Sequence, residues 1–194
     1  MKTKLLIVAA ALPLAACISF GAKPPPSLLT LEATAAPAVG ADQNSAKARS
    51  ITIQVPSTPT AIAGARVPVQ ATPTTIAYVK DAQWAEPPAR LFARLLSDTV
   101  SARGLVVLST VQSIGDPSST LAGELRRFGL DATSREAIVT YDAALTRAGK
   151  DTVEKHRFEA RVPVATIDAT SAGPALSQAA NQVAGEVATW VAAN

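Results

Sequence analysis

Glu136-Ala137-Ile138-Val139-Thr140-Tyr141-Asp142-Ala143-Ala144-Leu145-Thr146 is the stretch on which the reading of the fold turns. Ala137, Val139, Tyr141, Ala143 and Leu145 recur at every second residue, the period of a strand with one buried face. Leu121 to Phe128 before it and Thr152 to Val162 after it are long enough for two further strands. Ala148-Gly149-Lys150-Asp151 supplies turn chemistry between the last two, which predicts an antiparallel hairpin.

Helical periods flank this block. Glu86-Pro87-Pro88 opens a helix, since proline is tolerated in a first turn and a carboxylate suits the positive end. Leu91, Phe92, Leu95, Leu96 and Val100 then form one stripe, and Gly104 is a helix stop. At the other end, Pro174 is read as opening a helix in which Leu176, Ala180, Val183, Val187 and Trp190 share a face, with Trp190 assigned to the core. Shorter strands are predicted at Ser27–Leu31, Ile51–Val55 (ended by Pro56), Thr74–Val79 and Leu105–Leu108, and Ala33–Ser50 reads as a loose loop. The predicted architecture is a single α/β domain, with a mixed, largely antiparallel sheet covered by two main helices.

The amino terminus has a different purpose. Lys2 and Lys4, the apolar run Leu5–Ala11 and Pro13 precede Leu14-Ala15-Ala16-Cys17, the pattern of a short secretory signal. The cysteine directly after two small residues resembles the bacterial lipobox, in which the thiol receives diacylglycerol and cleavage leaves Cys17 first, to be acylated on its new amine. Residues 1–16 are then the signal peptide, 17–27 a lipidated terminus with the stiff spacer Pro24-Pro25-Pro26, and 28–194 the body. Multiple acyl chains hold a membrane far better than one. Ile18 stands where an aspartate marks inner-membrane retention in enterobacteria, which points to the periplasmic face of the outer membrane, the inner membrane being the alternative.

Composition narrows the chemistry. The formal charge is +3, but without Lys2 and Lys4 the chain carries 16 basic against 15 acidic side chains and no basic run, so nothing favours nucleic acid. Cys17 is the single cysteine, which leaves no disulfide to support the fold. Gly149-Lys150 fails as a phosphate loop, because position 144 is alanine and Asp151 follows. His156, the only histidine, lies two residues from Phe158 and reads as a strand residue on a sheet face. Glu124 with Arg126 or Arg127 is more simply a surface pairing than an acid/base pair. No metal, cofactor or catalytic site is expected, and the protein is read as a non-enzyme.

Trp84 stands out in a chain with eight aromatic residues, placed by this reading in a loop before a helix, where its ring either serves a partner surface or plugs the end of the core, core packing being the favoured role. The segment Tyr78-Val79-Lys80-Asp81-Ala82-Gln83-Trp84-Ala85-Glu86-Pro87-Pro88 resembles the ABC-type transport auxiliary lipoproteins, the PqiC-like group. The order of lipobox, Leu28–Leu31, Ile51–Val55, Leu121–Phe128 and a terminal helix agrees over essentially the whole mature chain, although Leu28 replaces a usual aromatic and Gln83 a common arginine. The resemblance implies a fold like the N-terminal domain of TolB. It also implies an adaptor beside an ABC permease, its ATPase and an MCE-domain protein, moving lipids or other hydrophobic molecules across the envelope. Tyr78, Trp84, Glu86 and Pro87 are the expected partner contacts, and self-association into a ring is compatible with the sequence. The competing classes are a structural or assembly lipoprotein of the outer membrane and a lipid-anchored enzyme centred on His156.

Overall fold

The structure is a computed structural model that describes residues 27–109, 112 and 117–194. Cys17 and the proline spacer lie outside the described residues.

The long central strands are as the periodicity predicts. β5 (Ser119–Asp131), β6 (Glu136–Arg147) and β7 (Val153–Pro163) form an antiparallel meander. Ala137, Val139, Tyr141, Ala143 and Leu145 are all buried on one face of β6. The β6–β7 turn contains Gly149 at φ +72°, a left-handed conformation that glycine adopts without strain.

The second edge of β5 is shared by two strands lying end to end. β1 (Ser50–Ile53) pairs in parallel with Ser119–Leu121, and β2 (Arg66–Thr72) pairs in parallel with Leu130 and Asp131. Between them Ser57 bridges to Glu124, so the chain from β1 to β2 tracks β5 as one interrupted strand. The interruption includes a 3-10 turn at Thr60–Ile62. β3 (Thr75–Gln83) forms a hairpin with β2, and β4 (Val106–Leu108) pairs in parallel with β1, completing a seven-stranded mixed sheet.

β5 changes phase midway. Leu121 and Leu125 face the core at odd positions, and Phe128 and Leu130 at even ones, because the pairing slips between Leu125 and Arg127. The extra residue at Arg126 is a β-bulge that turns the second half of the strand over without losing its apolar face. Gly123 has a comparable role in packing. A Cβ there would lie 2.7 Å from the Tyr141 ring, and the Tyr141 hydroxyl donates to the Ala122 carbonyl at 3.0 Å. The ring thus fills the space that a side chain at 123 would need, and Phe92 packs on it edge-on at 5.3 Å.

Both helices contribute to the single core. α1 (Pro88–Ser101) starts with Pro88 in its first position and ends before Gly104, whose φ is +87°. Its stripe Leu91, Phe92, Leu95, Leu96 and Val100 is buried. α2 (Ala169–Ala193) begins five residues before Pro174. Asp168 caps it by accepting from the Ser171 amide at 2.8 Å, and the signal of an N-cap outweighs the proline inside the helix. The alanine-rich face of α2 (Ala172, Ala179, Ala180, Ala184, Ala188) is buried against α1 and the meander. Trp190 is half-buried at the rim, against Phe158 and His156, rather than in the core. No described helix is long and apolar enough to cross a membrane.

The other face of the meander carries charge. Asp142 accepts two hydrogen bonds from Arg157, and Glu159 accepts from Thr140 and Arg161. Asp142 with Arg157 and Thr140 with Glu159 are cross-strand pairs that the antiparallel ladder places opposite one another, and Arg161 reaches Glu159 along β7.

Candidate functional site

The predicted contact segment Tyr78–Pro88 begins in an edge strand. In β3 the pairing jumps from Pro68↔Tyr78 to Arg66↔Gln83, so the chain bulges through Val79–Ala82 with Asp81 at φ +57°. Aspartate tolerates this left-handed conformation, and the bulge interrupts an edge that would otherwise invite pairing. Tyr78 is half-buried on the sheet face away from the helices, with the Arg66 guanidinium stacked on its ring at 3.7 Å.

Trp84 is not a loop residue on the surface. It is 1% exposed, with its ring edge-on to Phe128 at 5.3 Å. Its amide donates to the Ala65 carbonyl at 2.7 Å, which holds residues 83–85 beside the start of β2. With the backbone so fixed, the strand alternation sends the side chain inward. Of the two roles open to Trp84, the indole takes the core one, and its Nε1 has no hydrogen-bond partner among the described residues.

The free side of the same three residues receives the amino-terminal segment. The Leu29 amide donates to Gln83 at 2.7 Å, and the Ala85 amide donates to Leu29 at 2.8 Å. Only Leu29 of the predicted strand Ser27–Leu31 is paired, as an isolated parallel bridge with Trp84. The Leu29 side chain rests on Gly173 of α2, where a Cβ would come within 2.8 Å of it. Further along, Asn181 accepts from the Thr34 amide at 2.8 Å and donates to the Glu32 carbonyl at 3.0 Å. Residues 29–34 therefore form a strap fixed to both the sheet and α2. Sequence reasoning missed Gly173 and Asn181, because nothing local marks a helical glycine or asparagine as the seat of a segment so distant in the chain.

Glu86 and Pro87 follow at the start of α1. The Arg94 guanidinium donates to Glu86 through both nitrogens, at 3.0 and 2.7 Å, and holds its carboxyl below the usual carboxylate range. Pro87 is exposed, while Pro88 is buried. The four predicted contact residues thus separate. Tyr78 lies on the outer sheet face, Glu86 and Pro87 lie at the head of α1, and Trp84 lies inside between them. His156 is exposed and packs at a tilt against Phe158 with ring centroids 4.5 Å apart, with a groove beside it that includes Arg103, Glu186 and Trp190. Among the described residues no cluster of His, Cys, Asp and Glu has the geometry to hold a metal ion.

Two solved structures share the fold. Protein XCC0632 from Xanthomonas campestris, of the DUF330 family, superposes with a TM-score of 0.69 at 20% identity, over 86% of this chain and 95% of that one. A second protein, described as uncharacterized, gives 0.64 at 19% identity, over 74% and 92%. No curated protein matches the sequence. The profile of the ABC-type transport auxiliary lipoprotein component matches residues 29–188, from the docked Leu29 almost to the end of α2. This chain belongs to that family, and so to the membrane-anchored envelope lipoproteins that serve ABC-type transport.

Proposed function

We propose that this protein is a non-catalytic adaptor, lipidated at Cys17 and held at the periplasmic face of the outer membrane. It serves an ABC system with an MCE-domain component that moves lipids or other hydrophobic molecules through the envelope. The observation that carries the reading is the strap. The chain that leaves the proposed tether is built into the sheet at Leu29 and bound to α2 at Asn181, so an anchor at Cys17 would hold the folded body within a limited reach of the membrane. Residues 18–28 span at most about 35–40 Å when extended, which limits how far the body stands from the membrane. Tyr78, Glu86 and Pro87 remain the proposed partner contacts, with Trp84 supporting the backbone between them.

Affinity purification of the lipidated protein from gently solubilised membranes, with mass spectrometry of bound proteins and lipids, tests this. Recovery of an MCE-domain protein with its permease and ATPase is the expected result. Recovery of barrel-assembly or cell-wall components alone would assign the protein to envelope structure instead.

A further inference from the structure

On the sheet face away from the helices, the 3-10 turn at Thr60–Ile62 folds over β2 and β5 and leaves a cleft of about 120 Å³. Its walls are mainly apolar: Pro59, Ile62, Pro68 and Ile76. Ile62 is buried, whereas Ile76 is 48% exposed at the mouth. The floor is closed at Gly129, where a Cβ would lie 2.5 Å from the Pro68 carbonyl oxygen, so this close approach of β2 to β5 requires glycine.

The rim is cationic. Arg126 and Arg127 line the cleft, and among the described residues no carboxylate does. Arg126 reaches Glu124 and Asp142 only at 3.5 Å, and Asp142 is already engaged by Arg157 at 2.6 and 2.7 Å. Arg127 pairs with Asp131 at 3.1 Å. One step along β2, Arg66 stacks on Tyr78 and has no ion-pair partner among the described residues.

From this arrangement we infer that the cleft is a docking pocket for one aliphatic side chain of a partner protein, presented between carboxylates that meet Arg126 and Arg127. The volume selects the occupant. A cavity of about 150 Å³ takes a single benzene ring, so this cleft seats a leucine-sized group and, of a lipid acyl chain, only the end. An apolar anchor seated in a pocket with charge complementarity at its rim is the usual form of an interface hot spot.

The test uses the full-length lipidated protein in nanodiscs, with its isoleucine methyl groups isotopically labelled for NMR. Ile62 and Ile76 report on the cleft, and Ile51 and Ile167 serve as controls. The probe is the acetylated, amidated peptide Glu-Glu-Leu-Glu-Glu. It is compared with Glu-Glu-Gly-Glu-Glu, Lys-Lys-Leu-Lys-Lys and dihexanoylphosphatidylcholine below its micelle concentration. The expected result is saturable shifts at Ile62 and Ile76 with the acidic leucine peptide only, about tenfold weaker after Arg126→Glu. Ile76→Asp, a change at a half-exposed position, abolishes the Ile62 response. An equal response to the glycine or lysine peptide, or no response to the acidic leucine peptide up to millimolar concentration, overturns the assignment. A response to the phospholipid alone also overturns it and makes the cleft a lipid site.

Discussion

Leu29 and Trp84 face each other in an isolated parallel bridge that joins the amino-terminal strap to the sheet. The strap is seated on Gly173, and this makes a prediction of unusual sign. Glycine inside a helix costs about 1 kcal/mol relative to alanine, so Gly173→Ala gains helix stability but displaces the Leu29 side chain. In the wild-type background the two effects offset. In a Leu29→Ala background, Gly173→Ala stabilises by about 0.5–1 kcal/mol. A double-mutant cycle measured by urea unfolding checks this, and equal effects in both backgrounds would show that Leu29 does not rest on Gly173.

Trp84→Ala removes a fully buried indole and is expected to cost about 3–5 kcal/mol. Trp84→Phe is expected to cost only about 1–2 kcal/mol, because the indole nitrogen has no partner to lose. Equilibrium denaturation of both variants decides the matter. Near-equal losses would indicate that Nε1 makes a hydrogen bond in solution.

The Tyr141 ring and Gly123 share one space. Gly123→Ala is expected to cost at least about 2 kcal/mol, since the nearest obstacles include backbone as well as the ring. Tyr141→Phe keeps the ring and loses only the bond to Ala122, at about 0.5–1.5 kcal/mol. Burial pushes the Tyr141 phenol upward, so it stays protonated across the ordinary pH range.

Acid is expected to destabilise the charged sheet face. Arg157 holds the Asp142 carboxyl below its ordinary value of 3.8, and the Thr140 hydroxyl followed by Arg161 does the same for Glu159, whose ordinary value is 4.5. The Ser134 amide and then Arg127 lower Asp131. A carboxyl with a depressed folded-state pKa binds fewer protons when native than when unfolded. Its contribution is therefore complete above the ordinary value and is lost as pH falls through the folded one. The melting temperature should be flat from pH 7 to about 5 and should fall below about 4.5. Added salt should shrink the drop, because these groups face solvent. A drop between pH 7 and 5 would show that groups other than these carboxylates carry the sensitivity.

How much of this was legible follows from the range over which each signal acts. The meander, the stripe of α1 and the stops at Gly104 and Gly149 were readable because period and turn chemistry are set by residues adjacent in sequence. β2 was not predicted. Pro68 lies inside it and, lacking an N–H to donate, argues against an interior strand, and the bare Gly129 on β5 gives its ring room. The phase change from Leu125 to Phe128 is written in the sequence, but it becomes a bulge only when β6 pairs across it.

The contact segment divides in the same way. Sequence by itself determined that Tyr78–Pro88 runs from a strand into a proline-started helix, and the family match agrees with the resemblance carried by that motif. Only the tertiary structure decided that Trp84 points inward, that Tyr78 and Glu86 end in different layers, and that Leu29 closes the free side of the bridge. The physical reason is the origin of the partners. A backbone donor or an apolar face is evident from local sequence, but the Ala65 carbonyl, the Phe128 ring and the notch at Gly173 reach this segment only through the folding of distant parts of the chain.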